Sequence, residues 1–333
     1  MSCLKKILMI TTGGTISSVP TPEGLAPSED NAMVTNVLMN FQRQYDITVR
    51  DLLHLDSSNM QPEEWQRIAR CIAESYEGYD GIVLTHGTDT MAYTASVLSY
   101  MLMNLPIPVV LTGSQLPLAH PFTDGEDNLR CALAMAASGH PGVYVAFNRK
   151  IILGVRAVKV RTMGFDAFES VNAPYAAHLD ASGLNINRYA LPSLSGLFSP
   201  SLNLCDQVAL VKLIPGFNPQ FFDLLSQINC RAVVVEAFGA GGLHFIRRNL
   251  VDRLSAMVEQ GICVVVCSQC LYEKSDFSIY QSGQKALEQG VMEGLDMTSE
   301  AAVTKLMWAL GKTQDPEEVR RMFKTNYVNE ITL

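Results

Sequence analysis

The sequence predicts an α/β protein with a larger N-terminal domain, built on a mostly parallel sheet with helices on both faces, and a smaller C-terminal α/β domain. Strand and helix signals alternate through the first 150 residues, which is typical of repeated βα units. Residues 82–84 form a continuous apolar run that leads into a glycine-containing turn, as expected for a central strand buried on both faces. The length of 333 residues is consistent with two domains.

The first half of the chain divides into alternating strands and helices. The predicted strands are residues 7–12, 47–54, 81–86, 107–112 and 142–147, and the predicted helices are residues 31–44, 62 to about 72, 91–104 and 125–138. Pro62 suits the first position of its helix, and Asp124 is expected to cap the helix that follows it. The polar, proline-rich stretch 17–30 is predicted to be a loop that acts as a lid.

The second half begins after a stretch without periodicity. We place the N-terminal domain at residues 1–185, a linker at 186–206 and the C-terminal domain at 207–333. The elements predicted in the C-terminal domain are strands at 208–213, 232–237 and 262–267, and helices at 218–228, 248–259, 298–310 and 316–325.

Composition excludes several classes of protein. The chain is 48% hydrophobic and 17% charged, as expected for a well-buried globular protein. Its formal net charge of −8 argues against a nucleic-acid partner. No apolar run approaches the roughly 20 residues that span a bilayer, and the apolar stretch after Lys6 is too short for a signal peptide. We therefore expect a cytoplasmic protein that does not bind membranes.

The eight cysteines include one C-x-x-C pair, Cys267 and Cys270. Such a pair is found in redox sites and in zinc sites. No second Cys or His pair with ligand spacing accompanies it, so we interpret the cysteines near it as small hydrophobic residues of a buried strand and predict no metal site.

Two predicted strands end in similar clusters of small polar residues. Residues 12–15 (TGGT) follow the first strand, and residues 86–90 (HGTDT) follow the central one. Because ligands bind beyond the carboxyl ends of parallel strands, we expect the two clusters to share one site. A threonine on a glycine turn has two interpretations: a tight turn, or a nucleophilic hydroxyl with backbone amides as oxyanion donors.

Other candidate residues also allow a structural and a chemical interpretation. We interpret His86 as structural, because histidines at strand ends commonly bind backbone groups. Thr88 and Asp89 suit either a helix cap or a substrate contact, and residues 56–58 (DSS) suit a turn or a substrate clamp. Lys159, flanked by valines, is either a solvated side chain or a base.

Taken together, these segments resemble the bacterial-type L-asparaginases, most closely the cytoplasmic type I branch. The resemblance covers nearly the whole chain. Its segments are residues 12–16 (TGGTI), 86–91 (HGTDTM), 112–118 (TGSQLPL), 164–168 (GFDAF), 268–270 (SQC) and 304–306 (TKL).

The resemblance implies hydrolysis of L-asparagine to L-aspartate and ammonia through a covalent acyl-enzyme, without a metal or an organic cofactor. Thr15 matches the family's nucleophile, and Thr88, Asp89 and Lys159 match its second catalytic cluster. The positions that match substrate-binding residues are Asp56, Ser57, Thr88, Asp89 and Ser114, and those that match oxyanion donors are the backbone amides of Gly14 and Thr88. The family forms homodimers, often paired into homotetramers, in which the second domain of one subunit closes the site of its neighbour.

The chain departs from the family at several positions. Leu25 stands ten positions after Thr15, where the family usually has a lid tyrosine that bonds the nucleophile, and Asn59 stands where Asp is frequent. Some type I enzymes have a regulatory asparagine site. Val158 and Glu236 replace the threonine and arginine of that site, so we predict that it is absent.

Three alternative functions are consistent with the sequence. One is a glutamine-preferring amidohydrolase. Another is the amide-hydrolysing subunit of a tRNA-dependent amidotransferase, which is expected to have an additional N-terminal domain, whereas this sequence starts at its first strand. The third is a catalytically weak amino-acid sensor with the same fold, suggested by Leu25.

Overall fold

The computed structural model describes residues 4–22, 24–27 and 32–332, and omits the side chains of residues 20, 25, 27, 32 and 33. The chain forms two compact units, Met1–Leu202 and Asn203–Leu333. Both units contain a parallel sheet, so the predicted α/β class is confirmed.

The N-terminal unit is built on an eight-stranded sheet with the order β12-β11-β8-β7-β6-β5-β1-β4. The strands of this unit are β1 (Lys5–Gly13), β2 (Ser18–Thr21), β3 (Gly24–Pro27), β4 (Tyr45–Leu55), β5 (Gly81–Thr85), β6 (Pro108–Thr112), β7 (Gly142–Phe147), β8 (Lys150–Leu153), β9 (Ala157–Lys159), β10 (Phe168–Ser170), β11 (Ala177–Asp180) and β12 (Gly183–Ile186). Strands β4, β1, β5, β6 and β7 are parallel, so their carboxyl ends lie at one edge of the sheet. Every residue of β5 and β6 is buried, which explains why these strands are continuous apolar runs.

The helices of this unit are α1 (Ala32–Met39), α2 (Pro62–Ser75), α3 (Met91–Met101) and α4 (Gly125–Ala136). Pro62 opens α2 as predicted, and its helix buries Trp65, Ile68 and Ile72. The predicted start of the first helix, residue 31, lies outside the described residues. The predicted cap of α4 is wrong in one respect: Asp124 occupies the N-cap position, but its side chain makes no capping hydrogen bond.

The predicted lid is more regular than expected. Strands β2 and β3 pair as an antiparallel hairpin, in which Ser18 is opposite Pro27 and Thr21 is opposite Gly24. The prolines of this stretch obscure the strand signal in the sequence, which therefore predicts a loop. Prolines are nevertheless compatible with a two-stranded ribbon, since both strands are edges.

The loss of alternation after residue 150 also has a structural cause. Strands β8, β11 and β12 join the sheet in antiparallel order, while β9 and β10 form a separate antiparallel pair. These strands are three or four residues long, and no α-helix separates them. Short strands without intervening α-helices give no βα pattern, so β8, β10, β11 and β12 were not predicted from the sequence.

The C-terminal unit has a four-stranded parallel sheet with the order β13-β14-β15-β16. Its elements are β13 (Val208–Lys212), α5 (Gln220–Gln227), β14 (Ala232–Ala237), α6 (Leu250–Glu259), β15 (Cys263–Ser268), α7 (Gln281–Glu288), β16 (Met292–Glu293), α8 (Ser299–Lys312) and α9 (Pro316–Lys324). Helix α7 and strand β16 were not predicted. Cys263 and Cys267 are buried in β15, whereas Cys270 is exposed beyond its end.

Within the described residues, no helix is both long and apolar enough to cross a membrane.

Candidate active site

The carboxyl end of β1 turns sharply into a 3-10 turn, Thr15–Ser17. Gly14, which joins the two, has a φ of 82°, a conformation that favours glycine. A Cβ at this position would lie 2.4 Å from the Gly87 nitrogen. The two glycine-containing turns therefore meet in direct backbone contact, as the shared-site prediction requires.

Beside this contact lies a small cavity of about 100 Å³. Its lining residues are Gly14, Thr15, Ser18, Asp56, Ser57, Gly87, Thr88 and Asp89. Most of the candidate residues named from the sequence therefore lie around one space. Ser18 and Gly87 were not among the predicted site residues, although Ser18 lies only three positions after Thr15, about one turn of a 3-10 helix.

The segment after β4 is held rigidly against the segment after β5. Asp56 caps the short turn Ser57–Asn59 by accepting hydrogen bonds from the amide and the hydroxyl of Ser58, both at 2.9 Å. The Ser57 hydroxyl accepts from the Asp89 amide at 3.3 Å, and the Ser57 carbonyl accepts from the Thr90 hydroxyl at 2.7 Å. The turn and clamp interpretations are thus compatible, since the turn presents Asp56 and Ser57 to the cavity.

Lys159 connects the second cluster. Its ammonium donates to the Thr88 hydroxyl at 2.8 Å and to an Asp89 carboxylate oxygen at 2.6 Å. The Lys159 side chain is 17% exposed and the Asp89 side chain 64%. The lysine is therefore not a solvated side chain, because an ion pair and a hydroxyl hold it against Thr88 and Asp89, which line the cavity.

His86 has a structural environment. It is fully buried, its Nδ1 lies 2.7 Å from the Gly87 carbonyl, and its Nε2 lies 2.9 Å from the Thr94 hydroxyl. Because the Gly87 carbonyl can only accept, Nδ1 must carry the ring proton, and in the neutral ring Nε2 then accepts from the Thr94 hydroxyl, which itself accepts from the Trp65 indole at 2.8 Å. Burial lowers the pKa of His86 to about 4, which keeps the imidazole neutral.

The two predicted oxyanion donors differ in their bonding. The Gly14 amide donates to the Leu55 carbonyl at 3.0 Å. The Thr88 amide, by contrast, has no hydrogen-bond acceptor among the described residues. In this conformation Thr88 therefore has the amide that is available to a ligand.

Other residues named from the sequence have different surroundings, and Ser114 and Asn59 are not among those that line the cavity. The Ser114 hydroxyl is buried and donates to the Leu116 carbonyl at 2.5 Å. Asn59 is exposed, and the Leu25 side chain lies outside the described residues. Glu236 pairs with Lys212 at 3.3 Å and accepts from Ser299 at 2.6 Å. Within the described residues, no group of three or more His, Cys, Asp or Glu side chains is arranged to hold a metal ion.

The cavity lies at the carboxyl edge of an α/β sheet, where ligands of such sheets bind, and comparison with known families identifies the class of protein. Residues 6–191 match the N-terminal domain of asparaginases, and residues 207–323 match the glutaminase/asparaginase C-terminal domain. The two matches cover most of the chain, which therefore belongs to the asparaginase family, a family of amidohydrolases.

Within this family the chain is similar to proteins described as L-asparaginases. It is 43% identical to the L-asparaginase of Thermococcus kodakarensis over 98% of this chain and 99% of that relative. It is 36% identical to L-asparaginase 1 of Escherichia coli K12 over 98% of each. It is also 34% identical to one of the subunits of the glutamyl-tRNA(Gln) amidotransferase of Pyrococcus abyssi, over 99% of this chain and 77% of that relative.

Solved structures give the same result. The T. kodakarensis L-asparaginase superposes with a TM-score of 0.92 at 42% identity, over 98% of this chain and 99% of that one. The probable cytoplasmic L-asparaginase of Campylobacter jejuni superposes with a TM-score of 0.82 at 27% identity, over 97% and 100%.

Proposed function

We propose that this protein hydrolyses L-asparagine to L-aspartate and ammonia, with Thr15 as the nucleophile. One observation carries the proposal: Thr15 lines the same small cavity as the Thr88–Asp89 cluster that Lys159 holds. Family membership and similarity to two L-asparaginases support the choice of substrate.

The polar lining of the cavity suits a small zwitterion. Asp56 and Asp89 provide carboxylates for the substrate's ammonium group. The Ser57 hydroxyl is available to donate to its carboxylate, and we assign the substrate contacts to Asp56, Ser57, Thr88 and Asp89, with Thr88 contributing its amide. The contact predicted for Ser114 would require its hydroxyl to leave the Leu116 carbonyl.

We assign two chemical steps to the site. In the first, the Thr15 oxygen bonds to the side-chain carbonyl carbon, the hydroxyl proton passes to the amide nitrogen, and the C–N bond breaks to release ammonia. An ester between Thr15 and the aspartyl group remains. In the second, water adds to this ester, the C–O bond breaks, a proton returns to Thr15, and aspartate leaves. The Thr88 amide stabilises the oxyanion formed in each step, with Gly14 contributing if its bond to Leu55 opens.

The Lys159 cluster supports the reaction. The Lys159 ammonium, held by Asp89, places a positive charge beside the Thr88 hydroxyl where negative charge develops. We assign to Thr88 the orientation of the water that hydrolyses the ester. His86 has no part in proton transfer, because both of its ring nitrogens are bonded and it is buried behind the turn.

The remaining proposals concern the assembled protein. We propose a cytoplasmic homodimer or dimer of dimers, in which a C-terminal domain beginning near residue 207 closes the site of a neighbouring subunit. The similarity to a probable cytoplasmic L-asparaginase supports the location, and the match of a separate C-terminal family domain supports the domain boundary. Light scattering of the purified protein would measure its oligomeric state.

The test is ammonia release from L-asparagine and from L-glutamine by wild type and Thr15→Ala. We expect asparagine to be the better substrate and the variant to lose at least about 10³-fold in kcat. Thr48→Ala, an exposed threonine in β4, is the matched control and keeps full activity.

Rapid quenching followed by peptide mass analysis tests the intermediate, since the ester adds an aspartyl group to the peptide that contains Thr15. Full activity of Thr15→Ala would exclude the nucleophile. Faster turnover of glutamine would point to the glutamine-preferring alternative. Absence of turnover with either amide, while asparagine raises Tm, would mean a binding protein.

A further inference from the structure

Asp124 occupies the N-cap position of α4 but bonds to a different segment of the chain. Its carboxylate accepts hydrogen bonds from the Gln115 amide at 3.0 and 3.1 Å and from the Leu116 amide at 3.1 Å. The Thr123 hydroxyl instead accepts from the Gly125 amide at 3.0 Å, at the first turn of the helix. The Asp124 carboxylate therefore binds backbone amides of the loop that follows β6 and not those of its own helix.

Asn128, one turn further along α4, holds the same loop. Its amide nitrogen donates to the Gly113 carbonyl at 3.0 Å and to the Asp124 carboxylate at 2.9 Å, and its oxygen accepts from the Asn148 amide at 2.9 Å. Asn128 is 1% exposed. The loop is thus anchored to α4 by a charged group and by a buried amide.

The anchored loop determines how the Gln115 side chain is oriented. The Gln115 amide nitrogen donates to the carbonyls of Thr162 and Gly164, both at 3.1 Å. Because both partners are acceptors, the nitrogen must face them and the amide oxygen must face away. That oxygen lies 3.4 Å from the Thr88 hydroxyl, which donates to it.

The Thr88 hydroxyl has one proton to donate, and the direction of this proton determines which lone pair faces Lys159. Lys159 approaches the Thr88 oxygen as a donor at 2.8 Å, so the hydroxyl proton must point elsewhere, and Gln115 is the acceptor that receives it. Gln115 thereby keeps a Thr88 lone pair directed at the ammonium.

We propose that Gln115 and Asp124 are positioning residues for Thr88: Gln115 sets the direction of the Thr88 hydroxyl, and Asp124 acts through Gln115 by fixing its backbone. The inference that this affects turnover rests on the proposed function, whereas the geometry of Thr88 does not. Neither residue lines the cavity, so both are expected to affect kcat rather than KM.

The kinetic test compares Gln115→Met, Asp124→Ala and the double variant with wild type. Each single variant is expected to lower kcat by about 10- to 100-fold, a typical consequence of misplaced catalytic groups, with KM within about threefold. If Asp124 acts through Gln115, the double variant is no slower than Gln115→Met alone. Asp124→Asn, which keeps an acceptor oxygen, is expected to retain most of the activity.

Asp315→Ala is the matched control, because Asp315 is an N-cap aspartate whose side chain does cap its own helix, α9, through the Glu317 amide. It is expected to lower Tm without changing kcat. Multiplied losses in the double variant, or a KM effect with unchanged kcat, would overturn the proposal.

Crystal structures of Gln115→Met and Asp124→Asn provide a test that does not depend on turnover. In Gln115→Met the Thr88 oxygen is expected to rotate away from Lys159 and lengthen the 2.8 Å contact. In Asp124→Asn the contact is expected to persist. An unchanged Thr88 in Gln115→Met would reject the positioning role even if asparagine proved not to be the substrate, whereas failure to hydrolyse asparagine with the expected rotation would reject only the proposed function.

Discussion

Two lysine–carboxylate pairs in this protein have almost the same length but very different surroundings. Lys159 lies 2.6 Å from Asp89, with side chains 17% and 64% exposed. Lys305 lies 2.5 Å from Glu330, and both side chains are fully buried in the C-terminal unit. Asp89 of the first pair lines the cavity, whereas the second pair is shielded from solvent. Two ion pairs of almost equal length can therefore have different roles, one in ligand binding and one in stability.

The buried pair ties the end of the chain to α8. Lys305 also donates to the Thr325 carbonyl at 2.6 Å and lies 5.4 and 5.5 Å from the ring centroids of Phe323 and Tyr327. Glu330 accepts from the amides of Tyr327 and Val328. Each buried charge therefore has several polar partners, which offset the cost of removing it from water. The Lys159 pair keeps a carboxylate facing water, where a ligand can reach it.

The largest expected effect is on kcat, which should depend on the Lys159–Asp89 pair. Lys159→Met is expected to lower kcat by about 10²- to 10⁴-fold, the range for a group that assists proton transfer and stabilises developing charge. It is expected to change the free energy of unfolding by less than about 1 kcal/mol. Ammonia release and urea unfolding measure the two quantities. A fully active Lys159→Met would show that the Lys159–Asp89 pair has no role in catalysis.

The next effect concerns stability. Lys305→Met is expected to cost about 3–5 kcal/mol of unfolding free energy, because it leaves the Glu330 carboxylate buried without its cation. Adding Glu330→Gln should recover part of this loss. Lys5→Ala serves as control, since the Lys5–Asp80 pair is 2.8 Å long but 53% and 37% exposed, and should cost less than about 1 kcal/mol. Equal losses in Lys5→Ala and Lys305→Met would show that burial is not the deciding factor.

Glu300 tests a third environment, a half-buried carboxylate near another carboxylate rather than a lysine. Burial, with a smaller contribution from Glu236, raises the pKa of Glu300 from 4.5 to about 7. The folded state then holds a proton that the unfolded state has lost, so stability falls as pH rises from about 4.5 to about 7 and stays level above that range.

Glu300→Gln is expected to remove this contribution and to be more stable than wild type at pH 8, by up to about 3 kcal/mol, with little difference at pH 4. Urea unfolding across this pH range measures the effect. The exposed Glu288→Gln is the control and should show no such difference. A Glu300→Gln variant that parallels wild type at every pH would contradict the assigned cause.

The parts of the site that the sequence predicts are those encoded by adjacent residues. The apolar run of β5 and the glycines after β1 are local patterns, and parallel strands necessarily bring their ends together. Asp56, Ser57 and Thr88 follow directly from that rule, because each comes immediately or shortly after a strand.

The parts that were missed depend on contacts between distant residues. Gln115 bonds to carbonyls 47 and 49 residues away, and nothing near Gln115 in the sequence indicates this. Asp124 has the local signature of a helix cap and occupies that position, yet tertiary contacts use its carboxylate elsewhere. The antiparallel strands β8, β10, β11 and β12 were missed because each is too short to show a period.

The backbone contact between Gly14 and Gly87 restricts how the sequence of such a protein can evolve. Because any side chain at Gly14 would overlap the Gly87 backbone, and one at Gly87 would meet the Ser57 hydroxyl at 2.5 Å, neither turn can acquire new chemistry alone. Ser18 also lines the cavity, and its buried hydroxyl donates to the Gly14 carbonyl at 2.9 Å, so a replacement there would disturb the same turn. New substrate preferences at this site therefore require coordinated changes in both turns and the residues that contact them.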